Sequence, residues 1–133
     1  MTLSQWIIRL NGIFFIAYGL AFLFIPETMM YWVTGASLNT ASSIMDTRAT
    51  YGGMSLAIGL LLQYFSTKAV YEKLGLIFVI LIMGNMALGR SLGMLSDGEA
   101  NPVMWLFLGG ELITLLISLY LLRKDAPKTQ FSE

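Results

Sequence analysis

The sequence predicts an all-α fold, a bundle of four transmembrane helices with a short interfacial helix between the first and second spans. Two observations carry this. Of 133 residues, 56% are hydrophobic and only 12% charged, with a mean hydropathy of +0.71. Ordinary globular chains run about 45–50% apolar and about 25% charged, so this chain has too few polar residues to wet a soluble domain of its size. The second observation is four continuous apolar stretches. A helix crossing about 30 Å of hydrocarbon needs roughly 20 such residues. Lipid offers no hydrogen bonds to the backbone, so the stretches must be helices.

The first span runs over 6–25 and stops at Pro26. It is too long for the apolar part of a cleaved leader, carries Arg9 and Asn11, and lacks a small-residue cleavage site. Pro26–Glu27 is a helix start, with proline in the first turn beside an acid. The Met-, Tyr- and Trp-rich segment after it predicts an interfacial helix ending near Gly35. The second span covers 47–65, and Ser43-Ile44-Met45-Asp46 before it reads as a capping box with Ser43 and Asp46 as its ends. The third span covers 74–95 and the fourth 103–122. Together they make one domain, 1–124, followed by a flexible tail, 125–133.

Lys68, Lys73, Arg123, Lys124 and Lys128 fall on one side of these spans. The connections 27–45 and 96–101 contain no Lys or Arg. The positive-inside rule then places both termini in the cytoplasm.

Much chemistry is excluded. Without Cys there is no disulfide or thiol site, and without His the commonest base and metal ligand are gone. Nine Met residues sit at packing positions, so they predict core filler and not a copper site. We expect no cofactor, no metal and no catalytic residue. Net charge is +0, which gives no basic footprint for nucleic acid.

Charges inside the spans are the informative residues, because each costs about 2.5–3.5 kcal/mol at a helix centre. Arg9 lies near a cytoplasmic end and can snorkel to the headgroups. Asn11, Tyr18 and Phe22 share a face of the first helix. On a regular helical wheel, Arg48 shares a side with Gly52, Ser55 and Gly59, with Tyr51 at its border. Ala49, Gly53 and Ala57 form a second small-residue row on the opposite side. Small residues at this spacing admit a neighbouring helix, so the second helix is expected to be central and Arg48 to point into protein. In the third helix Gly89 and Gly93 form a small-residue seam flanked by Asn85 and Arg90. In the fourth, Glu111, Thr114 and Ser118 form a polar stripe. A short loop makes these two helices an antiparallel hairpin, which brings Arg90 within reach of Glu111.

That pair reads in two ways, as a lock between helices or as part of a site. Two Arg against one Glu leave a positive surplus in the outer half of the bundle, which favours a small anionic ligand such as a carboxylate, a phosphate or a lipid headgroup. The expected polar network is Arg48, Tyr51, Ser55, Asn85, Arg90 and Glu111. The leading function is a non-enzymatic accessory or lipid- or small-molecule-binding module in the membrane. The alternative is a transporter or channel subunit for an anionic solute, which would need a homo-oligomer or a larger membrane complex. An enzyme built on Glu111 or Tyr51 stands behind both.

The segment Asp46-Thr47-Arg48-Ala49-Thr50-Tyr51-Gly52-Gly53, with Ala57 and Gly59 after it, resembles the central motif of an uncharacterised bacterial family of small four-helix membrane proteins, a domain-of-unknown-function family. Leu10-Asn11-Gly12 and Tyr18-Gly19 ahead of Ile25-Pro26 are similar to its first helix. The resemblance spans residues 3–122. It implies a four-span protein of a bacterial inner membrane and singles out Arg48, Tyr51 and Gly53, without implying a substrate.

Overall fold

The computed structural model describes residues 1–124, and among these every regular element is a helix. The expected tail, 125–133, lies outside the described residues.

Helix α1 covers Leu3–Phe24, and Thr2 caps it through a reciprocal box with Gln5. It ends at Ile25, which lies before a proline and leaves the helical region at φ −129° and ψ 54°. Helix α2, Pro26–Thr34, begins on that proline and closes on Gly35. Gly35 holds a left-handed φ of 78°, so a side chain there would be strained. This short helix between the first two long ones is as the sequence predicts.

Helix α3, Ala41–Thr47, corrects the cap. Thr40 is the N-cap, and its side chain accepts from the Ser43 backbone N–H at 3.1 Å. The Ser43 hydroxyl is the far partner of the box, and Asp46 lies a turn inside the helix. Thr-x-x-Ser needs no acid, because a hydroxyl reaches back as well.

A π-helical segment, Arg48–Met54, follows without a break and leads into α4, Ser55–Ser66. A single-turn 3₁₀ helix, Ala69–Tyr71, then joins α5, Glu72–Ser96, and α6 covers Pro102–Lys124. Asn101 caps α6: its side-chain oxygen accepts from the Met104 N–H at 2.9 Å. Three segments, Leu3–Phe24, Ala69–Ser96 and Pro102–Lys124, are each long and apolar enough to cross a membrane. The expected second span falls on the α3–π–α4 run.

Two helix pairs make the bundle: α1 against the π segment and α4, and α5 against α6. At one end, Ile8, Leu62, Leu76 and Val79 are fully enclosed in a shared core. At the other, Phe22, Met30 and Val33 form a second core with Tyr18, Met104 and Phe107 packed on it. Both ends are pinned. The Thr2 hydroxyl donates to the Glu72 carboxylate at 2.7 Å, and the Asn101 amide donates to the Val33 carbonyl at 3.1 Å. Leucines, aromatics and methionines cover the outside, with Leu116 65% exposed. A soluble monomer rarely exposes so much contiguous apolar surface, and this is the signature of a membrane protein.

Candidate functional site

The first pair closes on glycine. Gly12 and Gly19 of α1 face Gly59 and Gly52, both partners spaced by seven residues. A Cβ on Gly59 would sit 2.6 Å from the Ile16 backbone nitrogen, and one on Gly19 would sit 2.5 Å from that of Leu56. Nothing that close can be accommodated by a side-chain rotation. Two of the expected packing residues, Gly52 and Gly59, therefore lie in a real seam, while Gly53 and Ala57 do not. A Cβ on Gly53 would touch only the Arg48 carbonyl, at 3.9 Å, and Ala57 is exposed.

The same geometry relocates Arg48. Its side chain is exposed, and its guanidinium donates to the Leu23 carbonyl at the end of α1. Arg48 keeps the side that the wheel gives it with Gly52, Ser55 and Gly59, and like Gly52 it faces Leu23, but α1 ends there at Phe24 and leaves the guanidinium uncovered. The Arg48 charge satisfies one of the orphan carbonyls at a helix end and does not join the other buried charges.

Arg90 and Glu111 do meet. Arg90 Nη2 donates to Glu111 Oε1 at 2.8 Å, and Nε donates to both carboxylate oxygens at 3.2 Å. Only 16% of the Arg90 side chain and 6% of that of Glu111 remain exposed. The guanidinium also lies 5.2 Å from the centre of the Phe107 ring, a cation–π contact. Among the described residues its third nitrogen, Nη1, finds only the Met104 thioether, at 2.8 Å. Gly89 and Gly93 form no tight seam around this pair. A Cβ on Gly89 meets nothing within 4 Å, and one on Gly93 meets only the Asp97 carboxylate, at 3.3 Å.

The open space has a shape. A cavity of about 1280 Å³ separates the two helix pairs. Its walls are mostly apolar, from Phe14, Phe15 and Ile58 on one side to Ile82, Met86 and Phe107 on the other. Tyr51, Ser55, Asn85, Arg90 and Glu111 all line it, and Arg48 does not. Five of the six expected network residues thus share one cavity, although only Arg90 and Glu111 bond to each other. The Asn85 amide is turned back onto the Leu81 carbonyl at 2.8 Å.

Tyr18, Phe107 and Met104 complete the wall. Tyr18 stacks with Phe14 and tilts onto Phe22, with ring centres 5.8 and 4.8 Å apart. Phe22 in turn stacks on Tyr51 at 5.2 Å. Phe107 meets Tyr18 edge-on at 6.2 Å and so bridges the helix pairs. The signal was available. Phe14, Tyr18 and Phe22 step by four residues, and the stripe Glu111–Thr114–Ser118 extends upward through Phe107 and Met104 at the same alternating three-and-four spacing. Ser118 is fully enclosed, and its hydroxyl has no hydrogen-bond partner among the described residues.

The surplus of cations that pointed to an anion is not assembled. Among the described residues the cavity is lined by one guanidinium, Arg90, and three carboxylates, Asp97, Glu99 and Glu111.

The chain matches the family described as Domain of unknown function (DUF4345) over residues 3–122. No curated protein and no solved structure matches it. The match covers nearly the whole chain, and the protein belongs to the DUF4345 family.

Proposed function

We propose that this protein is a four-span inner-membrane bundle, both termini cytoplasmic, that binds a lipid or another apolar small molecule between its two helix pairs without transforming it. The cavity of about 1280 Å³, apolar over most of its wall with one ion pair set into it, carries the reading. Ligand sites are commonly concave and apolar, with a few placed polar groups. A binding role is favoured over catalysis because Glu111, the one buried carboxylate on the wall, is already engaged by Arg90 on both oxygens.

The fourth crossing is supported by the unbroken helical run Ala41–Ser66, which exceeds the roughly 20 residues a bilayer needs. The orientation is supported by charge, with Lys68 over Tyr64 and Tyr71 at one end, while exposed Tyr31, Trp32 and Trp105 mark the interface at the other. Single cysteines at Ala36 and Ala100 should label from outside intact cells, and one at Ala69 should not. Labelling at position 69 would overturn the orientation.

Native mass spectrometry from lipid nanodiscs tests the binding. The wild-type protein should retain a lipid or small apolar molecule. Gly89→Trp, which fills the cavity from a position with open space around it, should lose that molecule while keeping its melting temperature. Equal retention by both proteins would show that the ligand lies elsewhere.

A further inference from the structure

The Arg90 guanidinium is satisfied unevenly. Nε and Nη2 are held by Glu111, whereas Nη1 points to the Met104 sulfur. A thioether is a weak acceptor, so a charged donor in an apolar cavity is paired with one of the poorest partners a protein can offer. An oxygen acceptor arriving in the cavity would improve on it. We propose that the ligand is an uncharged amphiphile whose carbonyl oxygen displaces the Met104 thioether from Arg90 Nη1, with its hydrocarbon body along the apolar wall. This rests on the cavity reading above and adds the headgroup.

The charges select against the alternatives. Glu111 already neutralises Arg90, and Asp97 and Glu99 line the same cavity. An anionic headgroup would add a second negative charge beside a guanidinium that Glu111 already neutralises, in a cavity whose outer wall carries Asp97 and Glu99 as well. A cationic headgroup would be repelled by Arg90 at the depth where the polar wall lies. A neutral carbonyl meets neither penalty and takes a charge-assisted hydrogen bond. Its source is either a membrane glyceride, through an ester carbonyl, or a single-chain compound such as a fatty amide.

The test uses the full chain purified in detergent and three probes with one hydrocarbon chain: oleamide, oleate and oleylamine. Binding is measured by titration calorimetry at neutral pH. Oleamide should bind about tenfold tighter than either charged probe, because each of those brings an unbalanced charge into a mostly apolar cavity. Dioleoylglycerol is the fourth probe: tighter binding than oleamide names a glyceride as the source, and weaker binding names a single-chain compound. Met104→Leu keeps the volume and removes the resident acceptor. It should tighten oleamide about twofold to tenfold and leave oleylamine, whose ammonium has no acceptor, unchanged. In the Arg90→Gln/Glu111→Gln double variant, the preference among the three headgroups should disappear.

Unchanged oleamide affinity in Met104→Leu would overturn the assignment to Nη1. Equal binding of all three probes by the wild type would overturn the headgroup assignment and leave the apolar cavity standing as a site. If no probe binds, the cavity reading itself fails.

Discussion

The α1–π–α4 pair and the α5–α6 pair are both antiparallel helix pairs, and each contains glycines four or seven residues apart. They are held by opposite means. In the first, the helices touch through backbone, with glycine hydrogens where side chains would otherwise stand. In the second, Gly89, Gly109 and Gly110 face open space, and the pair is tied by an ion pair, a thioether and an aromatic face. Lipid provides little hydrophobic drive between helices, so membrane pairs associate through close packing or through polar bonds. This molecule uses one device in each pair. The packed pair leaves no room within itself, and the cavity lies between it and the polar pair, lined from both. Glycine spacing by itself does not tell the two apart.

Substitutions at the seam should show the largest effect. Gly59→Leu is expected to abolish folding, and Gly59→Ala to cost at least about 3 kcal/mol, at or above the usual range for overpacking, because the atoms in the way are backbone. Reconstitution yield and melting in detergent measure both. Tolerance of Ala at Gly59 and Gly19 would mean that the helices can separate, and the contrast between the pairs would disappear.

The ion pair comes next. Removing one partner strands the other charge, at about 3–5 kcal/mol. Glu111→Gln and Arg90→Gln should each destabilise by that order, and the double variant by less than their sum. Additive losses would show that the pair does not hold α5 to α6.

Arg48 belongs to the packed side, where it fastens the end of α1 to the start of the π segment. Being exposed, it should cost about 1 kcal/mol as Arg48→Gln, and it should leave ligand retention intact. Loss of the ligand with unchanged stability would return Arg48 to the site.

The smallest effects are expected at glycines that touch nothing. Gly109→Ala and Gly53→Ala should be neutral or stabilising by up to about 1 kcal/mol, the helix preference of alanine over glycine. A loss at Gly53 comparable to that at Gly59 would restore the row Ala49–Gly53–Ala57 as a packing face.

The sequence by itself determined the long helices and many of their ends, but not the cap at Thr40 or the π segment Arg48–Met54. Apolar length and the cost of bare backbone in lipid leave no other choice for the long segments. Pro26, Gly35 and the short loop after Ser96 punctuate them through local backbone chemistry that needs no partner. It also determined the Arg90–Glu111 pair, since a short antiparallel hairpin fixes which residues stand level. Tertiary structure decided which of the two small-residue rows of the second helix is covered: α1 lies on Gly52 and Gly59, leaves Gly53 and Ala57 open, and ends beside Arg48, whose guanidinium therefore stays exposed. Tertiary structure also decided that Gly89 and Gly93 border a cavity, because empty space is a property of two helix pairs held at both ends and not of either helix. A wheel records which residues share a face, but the neighbour that covers that face, or the gap that leaves it open, is set by packing elsewhere in the bundle.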